Sequence, residues 1–243
     1  MPTYAVVGSS RGVGLEIVRQ LAPTKNIVLL QADVVDYRSL KTVAEQVAQV
    51  TGGSLDVLIH NAAKMDYAGG NIYRSLTEYP SMDALDTEFI EAFKVNTLGA
   101  IHSVDAFLPL LRKGSTKKVI IISSGGGERD VVWKARTAEL ASYGVTKCAE
   151  NMVMTKYAAS LEEEGFVVAA ISPGNVDVSE TAVAPPTVDE QADLKRTMDK
   201  IRKVYPNYPD KATAPEQAVK KVIAVINALG PDDTATFLNA ALA

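Results

Sequence analysis

Tyr143 and Lys147 stand four residues apart in the stretch ELASYGVTKCAEN, residues 139–151. A free phenol gives up its proton only near pH 10. An ammonium one helical turn away favours the phenolate and brings that exchange toward neutral pH, which makes such a pair a general acid/base. Pairs spaced i,i+4 also decorate many helix surfaces, so what the rest of the chain brings to the same place decides the matter. Two other elements could contribute. Ser123 and Ser124 end the apolar run KKVIIISS, and strand alternation points only one of the two hydroxyls inward. Gly8, Gly12 and Gly14 in GSSRGVG join an apolar run to an amphipathic stretch. Glycines at a strand-to-helix turn let backbone amides approach a pyrophosphate at the helix N-terminus; the bland reading is a structural turn. The G-x-x-x-x-G-K-[ST] phosphate loop is absent.

The elements that must position these groups alternate. TYAVVG, NIVLLQADV, LDVLIHNAA, KKVIIISS and FVVAAISPG are apolar runs of buried-strand length, and ATFLNA suggests a short last strand. Helical spacing separates them: GLEIVRQLA, YRSLKTVAEQVAQV closed by Gly52-Gly53, the long DTEFIEAFKVNTLGAIHSVDAFLPLL, the segment bearing Tyr143 and Lys147, and APEQAVKKVIAVINAL with Pro215 in its first turn. Continuous apolar strands between helices predict a parallel sheet covered on both faces, a doubly wound α/β fold with ligands at the carboxyl ends of the strands. No linker interrupts the pattern before Ser179, so residues 1–243 read as one domain, of which the Pro-rich, charged stretch from about 179 to 213 is a mobile cover.

Composition narrows the function classes. The chain has 243 residues, 47% hydrophobic, with a net charge of −4 and a pI near 5.3. That balance disfavours a nucleic-acid surface or a polybasic membrane anchor. No signal or membrane span is visible at the N-terminus. The single cysteine, Cys148, permits no internal disulfide and fits a reducing, cytoplasmic setting. With only His60 and His102 beside it, no metal site is expected, and both histidines read as packing or surface residues.

The glycine turn followed in order by HNAA, ISS, YGVTK and SPG resembles the short-chain dehydrogenase/reductase family, in its compact single-domain branch. SRGVGLEIVRQL, GSLDVLIHNAA and the long gap before the tyrosine are most similar to fungal-type and sniffer-like carbonyl reductases. The resemblance implies hydride transfer between NAD(P)(H) and a ketone, aldehyde or secondary alcohol. Tyr143 would be the acid/base, Lys147 its modulator and ribose ligand, Ser124 the anchor of the reacting oxygen, and Asn96 the member that sustains a proton relay. A helix-kink role is the alternative for Asn96. The cofactor would lie on Gly8, Ser10, Arg11, Gly12, Val13, Gly14, Asn61, Pro173, Gly174 and the backbone at Val176. The family often has Thr where this chain has Val178. The family also pairs through the helices bearing Asn96 and Tyr143, so a homodimer or homotetramer is implied.

The sequence departs from that pattern upstream. Only 53 positions separate Gly8 from Asn61, room for one strand–helix unit where the family has two. Either NIVLLQADV is the second strand and Asp33 binds a ribose 2′-hydroxyl, or LLQADVVDYRSL matches the family's third strand, with Asp33 beside the adenine and a whole unit missing. Sequence likeness favours the second, with six strands rather than seven; the surviving strand would then slide in next to the first. The adenosine end is reduced in both readings, so weak or altered cofactor binding is expected, and a non-catalytic Rossmann-fold binding protein is the alternative function. NADP(H) is slightly favoured over NAD(H), because Arg11 offers charge to a 2′-phosphate while Asp33 would repel it.

Ser124 and Tyr143 are 19 residues apart, several more than is common in the family. Trp133, in the extra loop, could line the substrate mouth or simply anchor local packing. Cys148 is expected to be buried and inert, and Glu162–Glu164 to form a solvated face.

Overall fold

A computed structural model of the chain describes residues 2–22, 27–65 and 72–241. Five parallel strands form one sheet in the order in which they occur: β1 (Tyr4–Val7), β2 (Val57–His60), β3 (Lys118–Ile122), β4 (Val167–Ser172) and β5 (Phe237–Asn239). β2, β3 and β4 are buried along their whole length. This is why they read as unbroken apolar runs rather than as alternating patterns.

Strand alternation divides the core in two. On one face Leu58, Val119, Ile121, Val168 and Ala170 pack with α2 (Tyr37–Thr51), α4 (Gly99–Leu111) and α6 (Ala141–Leu161). On the other, Val57, Ile59, Ile120, Ile122, Ala169 and Ile171 pack with α1 (Gly12–Leu21) and α8 (Pro215–Ala228). The sheet is therefore doubly wound, as its pattern predicts. α2 starts where Asp36 Oδ1 accepts the Arg38 amide and stops at Gly52, which sits at φ 68°.

The expected strand NIVLLQADV is the apolar run that does not join the sheet. Asn26 lies outside the described residues, and residues 27–33 have no ladder partner. Leu29 is 83% exposed, and Ile27, Val28 and Leu30 are exposed as well. The reason is topological. α1 belongs to one core face and α2 to the other, and one short connection must carry the chain between them. Its end is fixed by turns instead of a ladder: Asp33 Oδ1 accepts the Val35 amide, and the Asp33 amide donates to Ser39 Oγ. Among the described residues β1 is consequently an edge strand; the missing neighbour does not slide in beside it.

The long helix read through Asn96 is broken in register, not in direction. α3 (Met82–Ala92) passes into a π-helical turn, Phe93–Leu98, and then into α4. The charged stretch after Ser179 also holds more order than its composition suggests. It carries a short 3-10 turn at Ser179–Thr181 and a 17-residue helix, α7 (Val188–Val204), begun by a capping box between Thr187 and Glu190.

Candidate active site

The glycine turn lies between β1 and α1 as its spacing predicts. Gly8 has φ 84°, and a Cβ there would fall 2.5 Å from the Ala62 backbone nitrogen. Only glycine lets the turn lie against the end of β2. Asn61 ties the same two elements, its Nδ2 donating to the Gly8 carbonyl at 2.8 Å. The N-terminus of α1 receives no side-chain cap from Arg11, and Ser10 and Arg11 are exposed with Val13 half-buried beside them. The Gly12 amide donates to Thr181 Oγ1 at 2.9 Å, so the 3-10 turn after β4 rests on the glycine turn. These residues fit a dinucleotide: a helix start left without a cap from Arg11, glycines with left-handed backbone at Gly8 and Gly12, and a cover that meets the turn at one hydroxyl, on the Gly12 amide.

β4 delivers the second wall. Gly174 sits at φ 81° after Pro173, and Val176 forms an isolated parallel bridge with Thr213. The bond from the Asp177 amide to the Thr213 carbonyl and that from the Thr213 amide to the Asn175 carbonyl close both ends of the stretch from 179 to 213 onto this turn.

The third wall is α6. Its first residue follows Leu140 at φ 59°, a conformation uncommon for a side chain of this size. The turn Gly125–Gly127 packs against it so closely that a Cβ on Gly127 would fall 2.7 Å from the Lys147 backbone. Ser124 caps that turn, its Oγ accepting the Gly126 amide at 3.1 Å. Ser123 points the other way, is buried, and donates to Asn151 Oδ1. Tyr143 is half-buried, and Lys147 Nζ lies 5.8 Å from its ring centroid. Lys147 itself is buried; its Nζ donates to the Ile122 carbonyl at 2.8 Å and to Glu150 Oε2 at 2.6 Å. Asn96, in the π-helical turn, reaches the same helix. Its Nδ2 donates to Thr146 Oγ1 at 2.9 Å and its Oδ1 accepts the Lys64 amide at 2.6 Å. A π turn shifts one residue out of the ordinary helical register, which turns Asn96 toward α6; such turns are frequent at functional sites.

Ser124, Tyr143, Lys147 and Asn96 are therefore gathered by three adjoining elements. Asp33 is not part of that gathering: it is exposed and its bonds serve its own turn. Trp133 is 64% exposed on the short helix α5 (Arg129–Ala135), stacked 3.7 Å from the Arg136 guanidinium. Cys148 corrects an expectation, because its thiol is exposed. It lies about 100° around the helix from Lys147, and with Lys147 facing the interior that rotation carries it outward. The sequence reading missed Thr181, Thr146 and Glu150. Glu150 was signalled by its spacing, since i+3 from Lys147 lies on the same helix face. Among the described residues there is no cluster of three potential metal ligands and no helix long and apolar enough to cross a membrane.

Comparison with known proteins gives the family and the fold. The family described as short chain dehydrogenase matches residues 22–191. The short-chain dehydrogenase/reductase AacuF of Aspergillus aculeatus is 34% identical over 251 aligned positions, covering 93% of this chain and 92% of its own. The corresponding protein atnB of an Arthrinium species is 32% identical, covering 94% and 93%. In the first alignment, 93% of 243 residues is about 226, which leaves about 25 of the 251 positions without a residue here. That is roughly the length of one strand–helix unit. Among solved structures, the carbonyl reductase Sniffer of D. melanogaster superposes with a TM-score of 0.76 at 17% identity, covering 99% of this chain and 97% of its own. NADPH-bound carbonyl reductase from chicken fatty liver gives 0.75 at 20%, covering 99% and 92%. On the extent of the family match and the identity to its fungal members, the chain belongs to the short-chain dehydrogenase/reductase family of oxidoreductases.

Proposed function

We propose that this chain is an NAD(P)(H)-dependent reductase of ketones or aldehydes, or the corresponding secondary-alcohol dehydrogenase. The observation that carries the reading is the Lys147 ammonium set 5.8 Å from the Tyr143 ring, with Ser124 on the turn packed against the same helix. A bound nicotinamide dinucleotide supplies or accepts the hydride. This chain's part is to hold the carbonyl oxygen and to move one proton. Ser124 Oγ orients the oxygen; the Tyr143 hydroxyl gives it a proton in reduction and removes one in oxidation. The Lys147 charge favours the phenolate that remains, and Asn96 fixes α6 through Thr146.

NADP(H) is the favoured cofactor, supported by the exposed Arg11 beside the glycine turn and by the NADPH-bound relative in fold. The exposed, unpaired segment 27–33 supports an adenosine end weaker than usual. One domain of 243 residues, with the stretch from 179 to 213 as its cover, suits the continuous core, and a cytoplasmic setting suits the lone exposed thiol. Apolar side chains exposed along the elements bearing Asn96 and Tyr143 (Ile90, Phe93, Leu98, Val145 and Met152) support pairing of two copies. The test is consumption of NADPH or NADH, followed by its absorbance, across a panel of ketones and aldehydes. Carbonyl-dependent oxidation of either cofactor is expected; none with any carbonyl would leave the non-catalytic binding protein as the better account.

A further inference from the structure

Behind Lys147 lies a buried string of polar groups that the reaction just described does not use. Lys147 Nζ donates to Glu150 Oε2 at 2.6 Å. Glu150 Oε1 faces His60 Nε2 across 3.7 Å, and among the described residues neither of these buried atoms has a hydrogen-bond partner. His60 Nδ1 meets Ser103 Oγ at 3.0 Å, and Ser103 Oγ donates its one proton to the Gly99 carbonyl at 2.8 Å. The string comes from β2, α4 and α6, and His60, Ser103, Lys147 and Glu150 are all buried.

Counting protons along it leaves two arrangements. If the Ser103 hydroxyl turns to His60 Nδ1, the ring proton sits on Nε2 and points at an ionised Glu150. With that hydroxyl on the Gly99 carbonyl, as the 2.8 Å contact places it, Ser103 accepts from His60, the ring proton is on Nδ1, and Nε2 is a bare lone pair. An ionised Glu150 would set a second lone pair against it, both buried and both unsatisfied, at a cost. One proton on Glu150 Oε1 satisfies both atoms, while Oε2 still accepts from Lys147.

We propose that Glu150 is a positioning residue for Lys147: Oε2 anchors the ammonium beneath Tyr143, and Oε1 holds an exchangeable proton against His60 Nε2. The site then has two charge states, with the Lys147 charge compensated when Glu150 is ionised and bare when it is protonated. The groups facing Glu150 agree with this. Burial pushes its carboxyl up, to about 7, against the opposing pull of Lys147. Burial and the Lys147 charge hold His60 down, at about 3, despite the Ala62 backbone, so the histidine is not the charged partner. Burial alone would lower Lys147, but an ionised Glu150 and Tyr143 raise it on balance; with Glu150 protonated, the Ile122 carbonyl and Glu150 Oε2 remain to accept from the ammonium. The remaining neighbour, the Ile122 carbonyl, does not titrate.

This inference rests on the proposed reductase reading for its consequence but not for its test. Glu150→Gln imitates the protonated state, because the amide oxygen can accept from Lys147 while its NH₂ donates to His60. Above neutral pH the variant keeps a bare Lys147 charge where the wild type has a compensated one, and a bare charge favours the phenolate, which cannot donate a proton. In carbonyl reduction the wild-type to Glu150→Gln ratio of kcat/KM is therefore expected to rise roughly three- to tenfold between about pH 6 and pH 8.5. A ratio flat across that range would reduce Glu150 to a structural counter-ion and overturn the proposal. Infrared spectroscopy of the wild-type protein gives a readout that needs neither a variant nor turnover. A protonated-carboxyl stretch should be present at about pH 5.5, where exposed carboxyls are ionised, and should titrate away near pH 7; its absence also overturns the proposal. A wild type without turnover that still shows the band would sink the reductase reading and leave the Glu150 proton standing.

Discussion

Gly14→Ala tests the glycine turn against what helix propensity alone would predict. Gly14 lies inside α1 with ordinary helical geometry, so alanine should stabilise the helix by about 1 kcal/mol. The added Cβ would instead fall 2.2 Å from the Gly8 carbonyl oxygen and 2.5 Å from Asn61 Nδ2. Neither approach is possible between unbonded atoms, and one partner is backbone. Relief requires α1 to back away from the turn, which stretches the 2.8 Å bond between Asn61 and Gly8. Losing that bond costs about 0.5–1.5 kcal/mol, and overpacking costs about 1–3 kcal/mol. Set against the propensity gain of about 1 kcal/mol, the net effect is a loss of about 0.5–3.5 kcal/mol. In a chain of this size that lowers Tm by about 2–4 °C for each kcal/mol. Urea unfolding followed by far-ultraviolet circular dichroism is the suitable assay, since the only tryptophan, Trp133, is already 64% exposed. Affinity for the dinucleotide should fall with stability, because the amides at the start of α1 move together with the helix. A Gly14→Ala protein as stable as the wild type, or more so, would show that α1 does not press on the Gly8 turn.

Two further substitutions probe regions away from the catalytic groups. Leu29→Lys should change stability by no more than about 0.5 kcal/mol, because Leu29 is solvent-exposed; a loss above about 2 kcal/mol in urea unfolding would mean that residues 27–33 pair with β1 after all. Burial would raise the Asp56 carboxyl, but bonds from the amides and hydroxyls of Thr3 and Ser115 outweigh it and lower it to about 2. A depressed carboxyl stabilises the fold above its unfolded value and loses that contribution as pH falls through the folded one. The urea-midpoint advantage of wild type over Asp56→Ala should therefore be full above about pH 4 and fade toward pH 2; an advantage independent of pH would contradict the assignment.

The strands that build the site were legible because burial on both faces leaves the runs VIII and VVAAI without an alternating polar position. α2 was legible from its helical spacing and its closing Gly52, and the structure adds the Asp36 cap at its start. NIVLLQADV misled because an apolar run records a preference for burial, not the existence of a neighbour to pair with. Among the described residues no further strand–helix unit completes that edge, and α1 and α2 lie on opposite faces. α7 escaped notice behind prolines and charge, although Thr187 and Glu190 at capping-box spacing announce its start. The gathering of Ser124, Tyr143, Lys147 and Asn96 followed from motif order. Their orientation did not: which way Lys147 turns depends on the Ile122 carbonyl as well as on Glu150, and Ile122 comes from another element. Cys148 was placed inside because its burial was judged without fixing which side of α6 faces the core.

The account stands most directly on the Tyr143 hydroxyl, and removing that one atom measures it. Steady-state reduction of a carbonyl substrate by Tyr143→Phe, at saturating NADPH and with the fold checked by circular dichroism, should show kcat/KM lowered by about 10²–10⁴-fold. Turnover equal to the wild type would mean that the proton comes from elsewhere, and that the phenol beside Lys147 is not the acid of this site.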